Sequence, residues 1–215
     1  MKKTPKIILI LVICILIVVY ILYRNNYIKH KKYTNDYFNI ETYKSKIDKD
    51  KDGIDDETDI LNNTREYIST KPKYKSKYYG TGYPNDEYGV CTDVVAIALK
   101  NAGYDLMELV NIDIKNSKEN YDIEEIDKNI DFRRVKNLKI YFKNNTINLT
   151  TDIKNIKEWQ GGDIIIFKNH IGIVSDKRNK KGIPFIIHNQ SPYQSDYEQD
   201  ILEYRKDIVG HYRMS

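Results

Sequence analysis

The chain has 215 residues, of which 40% are hydrophobic and 31% are charged, a composition typical of a globular domain with additional segments. The formal net charge of +4 comes from the start of the chain, because residues 1–32 hold seven of the 35 basic residues and no acid. The remainder has 28 bases against 31 acids, and this mildly acidic balance argues against nucleic acid as a partner.

The first predicted element is a membrane span. Ile7–Tyr23 is an uninterrupted apolar run of 17 residues, which reaches about 25 Å as a helix, the lower limit for crossing a bilayer core. The basic segment 1–6 precedes it and no small-residue cleavage site follows, so we interpret it as a retained signal-anchor. Flanking charges do not decide the orientation. We expect a single-pass protein of the cell membrane, with the soluble part placed outside the cytoplasm by its expected function.

Residues 24–47 are polar and rich in tyrosine, and we interpret them as a linker. In the segment 48–59, acidic residues stand at positions 1, 3, 5, 9 and 12, with Gly53 at position 6. This spacing allows a tight loop to surround Ca²⁺ with oxygen ligands, position 7 contributing its carbonyl. It resembles the calcium loops of EF-hands and thrombospondin-type-3 repeats. The predicted ligands of this structural ion are Asp48, Asp50, Asp52, Ile54, Asp56 and Asp59. The alternative is a solvated acidic loop that caps the next helix.

The rest of the chain divides into helices followed by strands, which indicates an α+β domain over residues 57–215. Hydrophobic spacing predicts helices over 57–69, 91–102, 106–115 and 133–144, with a tyrosine-rich loop over 70–90. Short β-branched runs predict strands of a mostly antiparallel sheet over 164–167, 170–176, 184–188 and 208–213, with a charged hairpin loop over 177–182.

Cys91 is the candidate nucleophile. It lies where a glycine-containing loop gives way to a predicted helix, and the other cysteine, Cys14, lies inside the apolar run. A thiol at a helix N-terminus faces free backbone N–H groups and the positive end of the helix dipole, and both favour the reactive thiolate. With one cysteine in the soluble part, an intrachain disulfide there is impossible.

Two histidines supply the remaining parts of a thiol hydrolase. His170 opens one predicted strand and His188 ends the next, 18 residues later, so an antiparallel pair brings both imidazoles to one edge of the sheet. A nucleophilic thiol needs a base and a group that orients the base. We predict His170 as the base and His188 as the orienting residue; hydrolysis by this set needs no cofactor. The alternative is that all three residues serve packing or lie at the surface.

Six short segments occur here in the order in which a known family has them. They are Gly89–Asp93, Asn129–Asn137, Gly162–Ile164, His170–Asp176, His188–Asn189 and Gly210–Arg213. Together they resemble the NlpC-like cysteine peptidases, and most closely the bacterial family called domain of unknown function 1287, over residues 57–213. The resemblance implies a papain-like NlpC-type fold with the nucleophile helix packed on the sheet. It assigns the same three roles to Cys91, His170 and His188.

We expect four residues to bind substrate: Thr92, Asp93, Arg133 and Arg134. The first two follow the nucleophile, and arginine side chains bind carboxylates through paired hydrogen bonds. The alternative for the arginines is an ion-pair network that fixes a helix to the sheet. Asp163 is interpreted as a residue that braces its turn, and Trp159 as a core or cleft-edge aromatic.

These features predict a membrane-anchored thiol hydrolase that cuts peptide or amide bonds, with cell-wall peptide implied by the resemblance. One alternative is a non-catalytic, calcium-dependent wall-binding or scaffold protein on the same fold. Another is a thiol acyltransferase or amidase that acts on a different substrate with the same three residues. The sequence does not indicate an oligomeric state.

Overall fold

The computed structural model describes residues 4–214. Its first helix, α1, spans Thr4–Arg24 and contains the predicted apolar run. The part Lys6–Arg24 is long and apolar enough to cross a membrane, and its large apolar side chains are exposed. Part of the predicted basic segment 1–6, namely residues 1–3, and Ser215 at the end of the predicted domain lie outside the described residues.

Five further α-helices follow, and their positions agree closely with the hydrophobic spacing. They are α2 (Asp56–Ser69), α3 (Cys91–Asn101), α4 (Leu106–Asn116), α5 (Lys128–Asp131) and α6 (Val135–Asn145). The predicted bounds of α2, α3 and α4 are confirmed to within one residue. The helix predicted from Arg133 begins later, at Val135, because Arg134 is its N-cap and has an extended backbone.

The main sheet has six strands, and every neighbouring pair is antiparallel, as the sequence predicts. The spatial order is β3, β8, β4, β5, β6, β7. The strands are β3 (Ile147–Asn148), β4 (Ile164–Phe167), β5 (His170–Arg178), β6 (Pro184–Ile187), β7 (Glu198–Gln199) and β8 (Ile208–Arg213). A separate parallel pair joins β1 (Lys73–Tyr74) to β2 (Tyr88–Gly89), immediately before the candidate nucleophile.

Apolar side chains cover both faces of this sheet. Ile171 and Ile173 of β5 belong to the larger cluster, together with Val95 and Leu99 of α3. The alternate strand residues pack on the other face, where Val174 joins a smaller cluster around the fully buried Trp159. Each fully buried side chain of this size contributes about 1.5–3 kcal/mol to stability, so the nucleophile helix is fixed firmly to the strand that carries His170.

The segment interpreted as a linker, residues 24–47, packs against the folded domain. Tyr33 exchanges two backbone hydrogen bonds with Arg178, each of 2.9 Å. Arg178 was predicted in a charged loop, yet it is fully buried, and its Nε donates to Asn35 Oδ1 at 2.5 Å. The predicted linker is therefore in contact with the domain, because it provides acceptors for the guanidinium of Arg178, and Arg178 belongs to β5 and not to the predicted charged loop.

Candidate functional site

Cys91 is the first residue of α3, as its position after a glycine loop predicts. Asp93 holds this end of the helix, because its Oδ2 accepts a hydrogen bond of 2.8 Å from the backbone N–H of Val90. The loop before the cysteine packs closely against α2: a Cβ on Gly89 would lie 2.3 Å from the Tyr67 hydroxyl oxygen. Glycine is therefore required two residues before the nucleophile.

The electrostatic surroundings of the Cys91 thiol differ from the expectation drawn from the helix dipole. Burial raises the pKa of Cys91 to about 11, and the Asp93 carboxylate raises it further. The backbone N–H groups of Ile171, Thr92 and Cys91 itself act in the opposite direction and do not outweigh burial. The predicted thiolate is therefore wrong for the free protein at neutral pH, where Cys91 is a neutral thiol.

His170 and His188 are brought together as predicted. Nε2 of His170 and Nδ1 of His188 lie 3.0 Å apart and share one proton in a buried hydrogen bond. Burial holds the pKa of His170 well below its usual value, and burial likewise lowers the pKa of His188. Both imidazoles are therefore neutral at pH 7, and His170 can accept a proton.

The strand register explains how the two rings meet. Ile173 pairs with Ile187, so the same register places His188 opposite Gly172. His170 and Gly172 project from the same face of β5, and a Cβ on Gly172 would lie 3.3 Å from the Cβ of His188. Because Gly172 has no side chain, the two imidazoles have the space to approach each other.

Cys91 lies beside the strand that begins with His170. Its thiol is next to the backbone N–H of Ile171, the residue after the predicted base. Within residues 4–214, no hydrogen bond joins the Cys91 sulfur to either histidine, and Nδ1 of His170 has no hydrogen-bond partner. The predicted base therefore has one nitrogen held by His188 and the other free for a proton.

Gln199 is a part of this site that the sequence did not indicate. If His188 accepts from His170 at Nδ1, its proton is on Nε2, which is buried and lacks a hydrogen-bond partner among the described residues. Gln199 pairs with Ile186 on the adjacent strand β7, so it shares the face from which His188 projects. Its buried amide is the side chain that raises the pKa of His188, against the larger effect of burial.

Three of the four predicted substrate-binding residues are buried. Arg133 and Asp93 form a buried ion pair, with Nε to Oδ1 at 2.6 Å and a second contact of 2.9 Å. Thr92 is 1% exposed. The Arg133–Asp93 pair fixes α3 to the segment before α6, as the ion-pair alternative predicts for Arg133. Substrate binding by these residues and by Thr92 stays a prediction. Arg134 remains a candidate, since its side chain is 44% exposed and lies 3.8 Å from Asp131.

Asn189 connects the histidine pair to the nucleophile loop. It directly follows His188, and its Nδ2 donates to the carbonyl oxygens of Gly89 at 3.0 Å and Pro72 at 2.9 Å. One buried amide therefore sets the distance between the strand that ends at His188 and the loop that leads to Cys91.

The family model described as domain of unknown function, DUF1287, matches residues 61–214. The chain belongs to the DUF1287 family. It is also 36% identical over 167 residues to the uncharacterized protein YijF of Escherichia coli strain K12, which covers 72% of this chain and 80% of that protein. No solved structure matches the chain.

Inside the DUF1287 domain, a second buried polar cluster has a structural role. Asp163 accepts hydrogen bonds from the backbone N–H of Gln160, from His211 Nε2 at 2.9 Å and from Arg213 Nε at 2.7 Å. Trp159 stacks on the His211 ring with centroids 3.8 Å apart. All the carboxylate contacts of Asp163 are internal, so it braces the turn before β4, as the sequence predicts.

The predicted calcium loop precedes the DUF1287 match. Asp48, Asp50 and Asp52 bring one carboxylate oxygen each to within 4.8 Å of one another. Burial raises the pKa of Asp59 to about 6, and the charges of Asp52 and Asp50 add to this effect. Three carboxylates therefore converge, Asp59 lies near enough for two of them to raise its pKa, and carboxylate oxygens of this kind fit Ca²⁺.

Asp56 does not belong to that donor set. Its Oδ1 accepts from the backbone N–H of Lys49 at 2.8 Å and its Oδ2 from the hydroxyl of Tyr104. These internal contacts join the loop to the end of α3, and Asp56 lies outside the cluster of three carboxylates, so its role as a ligand stays a prediction. Ile54 is exposed at the loop position where its carbonyl was predicted to bind, so that prediction stays open.

Proposed function

We propose that this DUF1287 protein is a membrane-anchored thiol hydrolase with a papain-like, NlpC-type fold, which cuts peptide or amide bonds of cell-wall peptidoglycan outside the cytoplasm. The observation that supports this most is the buried contact of 3.0 Å between His170 and His188, together with the position of the Cys91 thiol at the backbone N–H of Ile171, the residue after His170. A neutral base, its orienting group and a thiol at a helix N-terminus are the parts that acyl transfer requires. The cell-wall substrate rests on the family resemblance and the membrane anchor.

In the proposed reaction, the Cys91 side chain and the His170 ring, which projects from the face of β5 opposite to Ile171 and α3, first move together at the start of this strand. His170 Nδ1 takes the thiol proton as sulfur attacks the carbonyl carbon, because a thiol with a pKa of about 11 and a neutral imidazole do not form an ion pair beforehand. The backbone N–H of Cys91 stabilises the oxyanion. The imidazolium then protonates the leaving amine, and water hydrolyses the thioester with His170 again as base.

We further propose a structural Ca²⁺ ion held by Asp48, Asp50, Asp52 and Asp59, with the Ile54 carbonyl as a further ligand. The loop packs against the end of α3, since a Cβ on Gly103 would lie 3.2 Å from the Cβ of Asp50. The ion would supply charge neutralisation there and takes no part in the reaction.

One observation favours a non-catalytic alternative, a calcium-dependent wall-binding protein on the same fold. The pKa of Cys91 is raised, and its sulfur makes no hydrogen bond to His170 or His188 within residues 4–214. A packing cysteine has the same properties.

The rate at which the Cys91 thiol is labelled distinguishes the hydrolase from the non-catalytic protein. In the full chain with Cys14→Ser, Cys91 is the only thiol, so the labelling rate with an iodoacetamide probe reports on it alone. We expect His170→Ala to slow labelling at pH 7 by about tenfold or more, since general-base assistance is typically worth a factor of 10²–10⁴. The surface variant Lys139→Ala, at an exposed position on α6, serves as a control. Equal rates with and without His170 would favour the non-catalytic protein.

A further inference from the structure

The end of α1 is attached to the loop that follows β6. The chain reverses directly after α1, because Asn26 has a left-handed backbone with a φ of +61° and the Tyr27 N–H donates to the Leu22 carbonyl oxygen at 2.9 Å. The Asn26 carbonyl oxygen accepts from Ser195 Oγ at 2.7 Å, and the Tyr27 hydroxyl donates to the Tyr193 carbonyl oxygen at 2.8 Å. A loop of the domain is therefore held next to the last turn of the helix.

A second part of the domain lies beside the helix itself. The Arg24 guanidinium lies over the Tyr204 ring, 5.4 Å from its centroid. Burial raises the pKa of Tyr204, and the nearby groups that raise it further include Tyr23 and Tyr20 of α1. Because Tyr20 lies about one helical turn before Arg24, the domain reaches down to the last turn of α1, the level at which this helix would leave a bilayer.

The side chains around this helix end are typical of a membrane interface. Tyr193 is 80% exposed and Tyr27 is 55% exposed, and the neighbouring Ile28 is exposed as well. Tyrosine is enriched at membrane–water interfaces, because its ring packs among the lipids while its hydroxyl stays in the polar layer. Tyr20 and Tyr23 occupy the end of α1, so tyrosines from the helix and from the domain surround the same point.

The free charges near the helix end are mostly positive. Three basic residues there have no ion-pair partner among the described carboxylates: Arg24, Lys29 and Lys31. Of the acids nearby, Asp200 is buried and Glu203 is paired with Lys181. Asp196 is the exposed acid of the loop. An anionic lipid surface is therefore attracted to this face and not repelled by it.

We propose that this face of the domain docks on the surface of an anionic phospholipid membrane, with the side chains of Tyr27 and Tyr193 in the headgroup layer. The proposal rests on the proposed function in one respect, because it requires α1 to span the same membrane. The other occupant to consider is a protein partner, and in that case these side chains stay out of the lipid.

Docking has a consequence for the candidate site. Residues 191–196 form one wall of a groove of about 990 Å³, which Tyr88 and Asn189 also line. Tyr88 lies three residues before Cys91, and Asn189 directly follows His188. The approach to the candidate site would therefore open close to the bilayer, a position that suits substrates held at the membrane surface.

The test introduces tryptophans into the full chain, reconstituted in nanodiscs of equal parts phosphatidylcholine and phosphatidylglycerol. Trp159 is the single tryptophan of the chain and is fully buried, so its fluorescence is measured in the original chain and subtracted. The quencher is a phosphatidylcholine with a nitroxide on its headgroup. We expect Tyr193→Trp to lose about half of its added fluorescence or more, because tryptophan at the headgroup level contacts the quencher.

Ile147→Trp is the matched control. Ile147 is 41% exposed and lies on β3, the edge strand at the opposite end of the sheet from β7. We expect this variant to lose roughly a tenth of its added fluorescence or less, because tryptophan has the same preference for the interface at both positions and the orientation of the domain decides which one reaches it. Equal quenching of the two variants would overturn the proposal.

Ile15→Trp distinguishes failure of docking from failure of the anchor. Ile15 is exposed in the middle of α1, so the added tryptophan should be quenched by a lipid with its nitroxide at the middle of the acyl chain. If Ile15→Trp is quenched by that lipid and Tyr193→Trp is not quenched by the headgroup label, docking is overturned while the anchor stands. If neither is quenched, α1 does not span the membrane, and the anchor and docking are both overturned.

Discussion

The protonation state of the three central residues determines how reactivity should depend on pH. Burial raises the pKa of Cys91 and lowers that of His170, so raising the pH through the usual thiol range leaves Cys91 protonated. We expect the iodoacetamide labelling rate of Cys14→Ser to keep rising from pH 7 to pH 10, without the plateau near pH 9 of an ordinary thiol.

Below pH 7, the pH dependence of the labelling rate reports on the protonation of His170. A folded-state pKa well below 6.5 means that the imidazole stays neutral at pH 5.5, so base assistance should persist there. The ratio of labelling rates between Cys14→Ser and its His170→Ala variant should therefore not fall from pH 7 to pH 5.5. A ratio that falls with a midpoint near 6.5 would show that the imidazole titrates normally and would contradict its burial.

Gln199 should set the tautomer of His188. Its amide lies on the same sheet face as the unpartnered His188 Nε2, so a proton there gains an acceptor if the amide oxygen turns toward it. We expect Gln199→Leu to slow thiol labelling about three- to tenfold with little change in melting temperature. Imidazole ¹⁵N shifts of His188 should show a mixture of tautomers in the variant. Gln190→Leu, at an exposed position in the following loop, is the control. An unchanged ¹⁵N spectrum would exclude this role.

At the scale of elements, α2 and the loop that precedes Cys91 pack with almost no space between them. We expect Gly89→Ala to destabilise the protein by about 1–3 kcal/mol, because the new methyl group would lie 2.3 Å from the Tyr67 hydroxyl oxygen. Tyr67→Phe should relieve much of this cost, since the next Tyr67 atom is 3.5 Å away. Thermal melts of both single variants and the double variant measure the coupling. Gly80→Ala, with no atom near its added Cβ, is the control, and additive effects would contradict the contact.

The calcium loop should stabilise the adjoining elements when Ca²⁺ is bound. We expect millimolar Ca²⁺ to raise the melting temperature of the full chain, and a chelator to reverse the increase. Asp50→Asn with Asp52→Asn should abolish the response, because two of the three converging carboxylates are lost. Asp122→Asn, which removes a carboxylate that is 98% exposed, should respond as the original chain does. A melting temperature that is indifferent to Ca²⁺ would remove the metal from the proposal.

Local patterns predict most of the elements but few of the contacts between them. The strand Ile164–Phe167 and the start of α3 at Cys91 follow from β-branched runs and a glycine loop, both of which are local signals. The meeting of His170 and His188 was also predictable, since consecutive strands pair by a hairpin. The Asp93–Arg133 ion pair was not, because the sequence shows two charged residues 40 positions apart and not which one the other contacts.

At the scale of the whole molecule, the apolar helix α1 and the segment after it are joined to the domain by contacts that span most of the chain. His30 stacks on Tyr23 at the end of α1, with ring centroids 3.8 Å apart, and its Nδ1 lies 2.9 Å from Asp200 Oδ2. Asn35 contacts Arg178 across 143 residues. Composition predicts a linker here because it does not show which residues the segment contacts, and these residues lie far ahead in the sequence.

These contacts should protect residues 24–47 from proteases. The segment contains Lys29, and Asp200→Ala removes the acceptor of both His30 and Asn179. Losing buried hydrogen bonds of this kind costs about 1–3 kcal/mol, so the segment should open more often and tryptic cleavage there should accelerate roughly 5- to 100-fold. The control is Asp196→Ala, an exposed residue of the same loop. Equal cleavage rates in the two variants would mean that the anchor is not held by Asp200, and that the domain moves freely above the membrane.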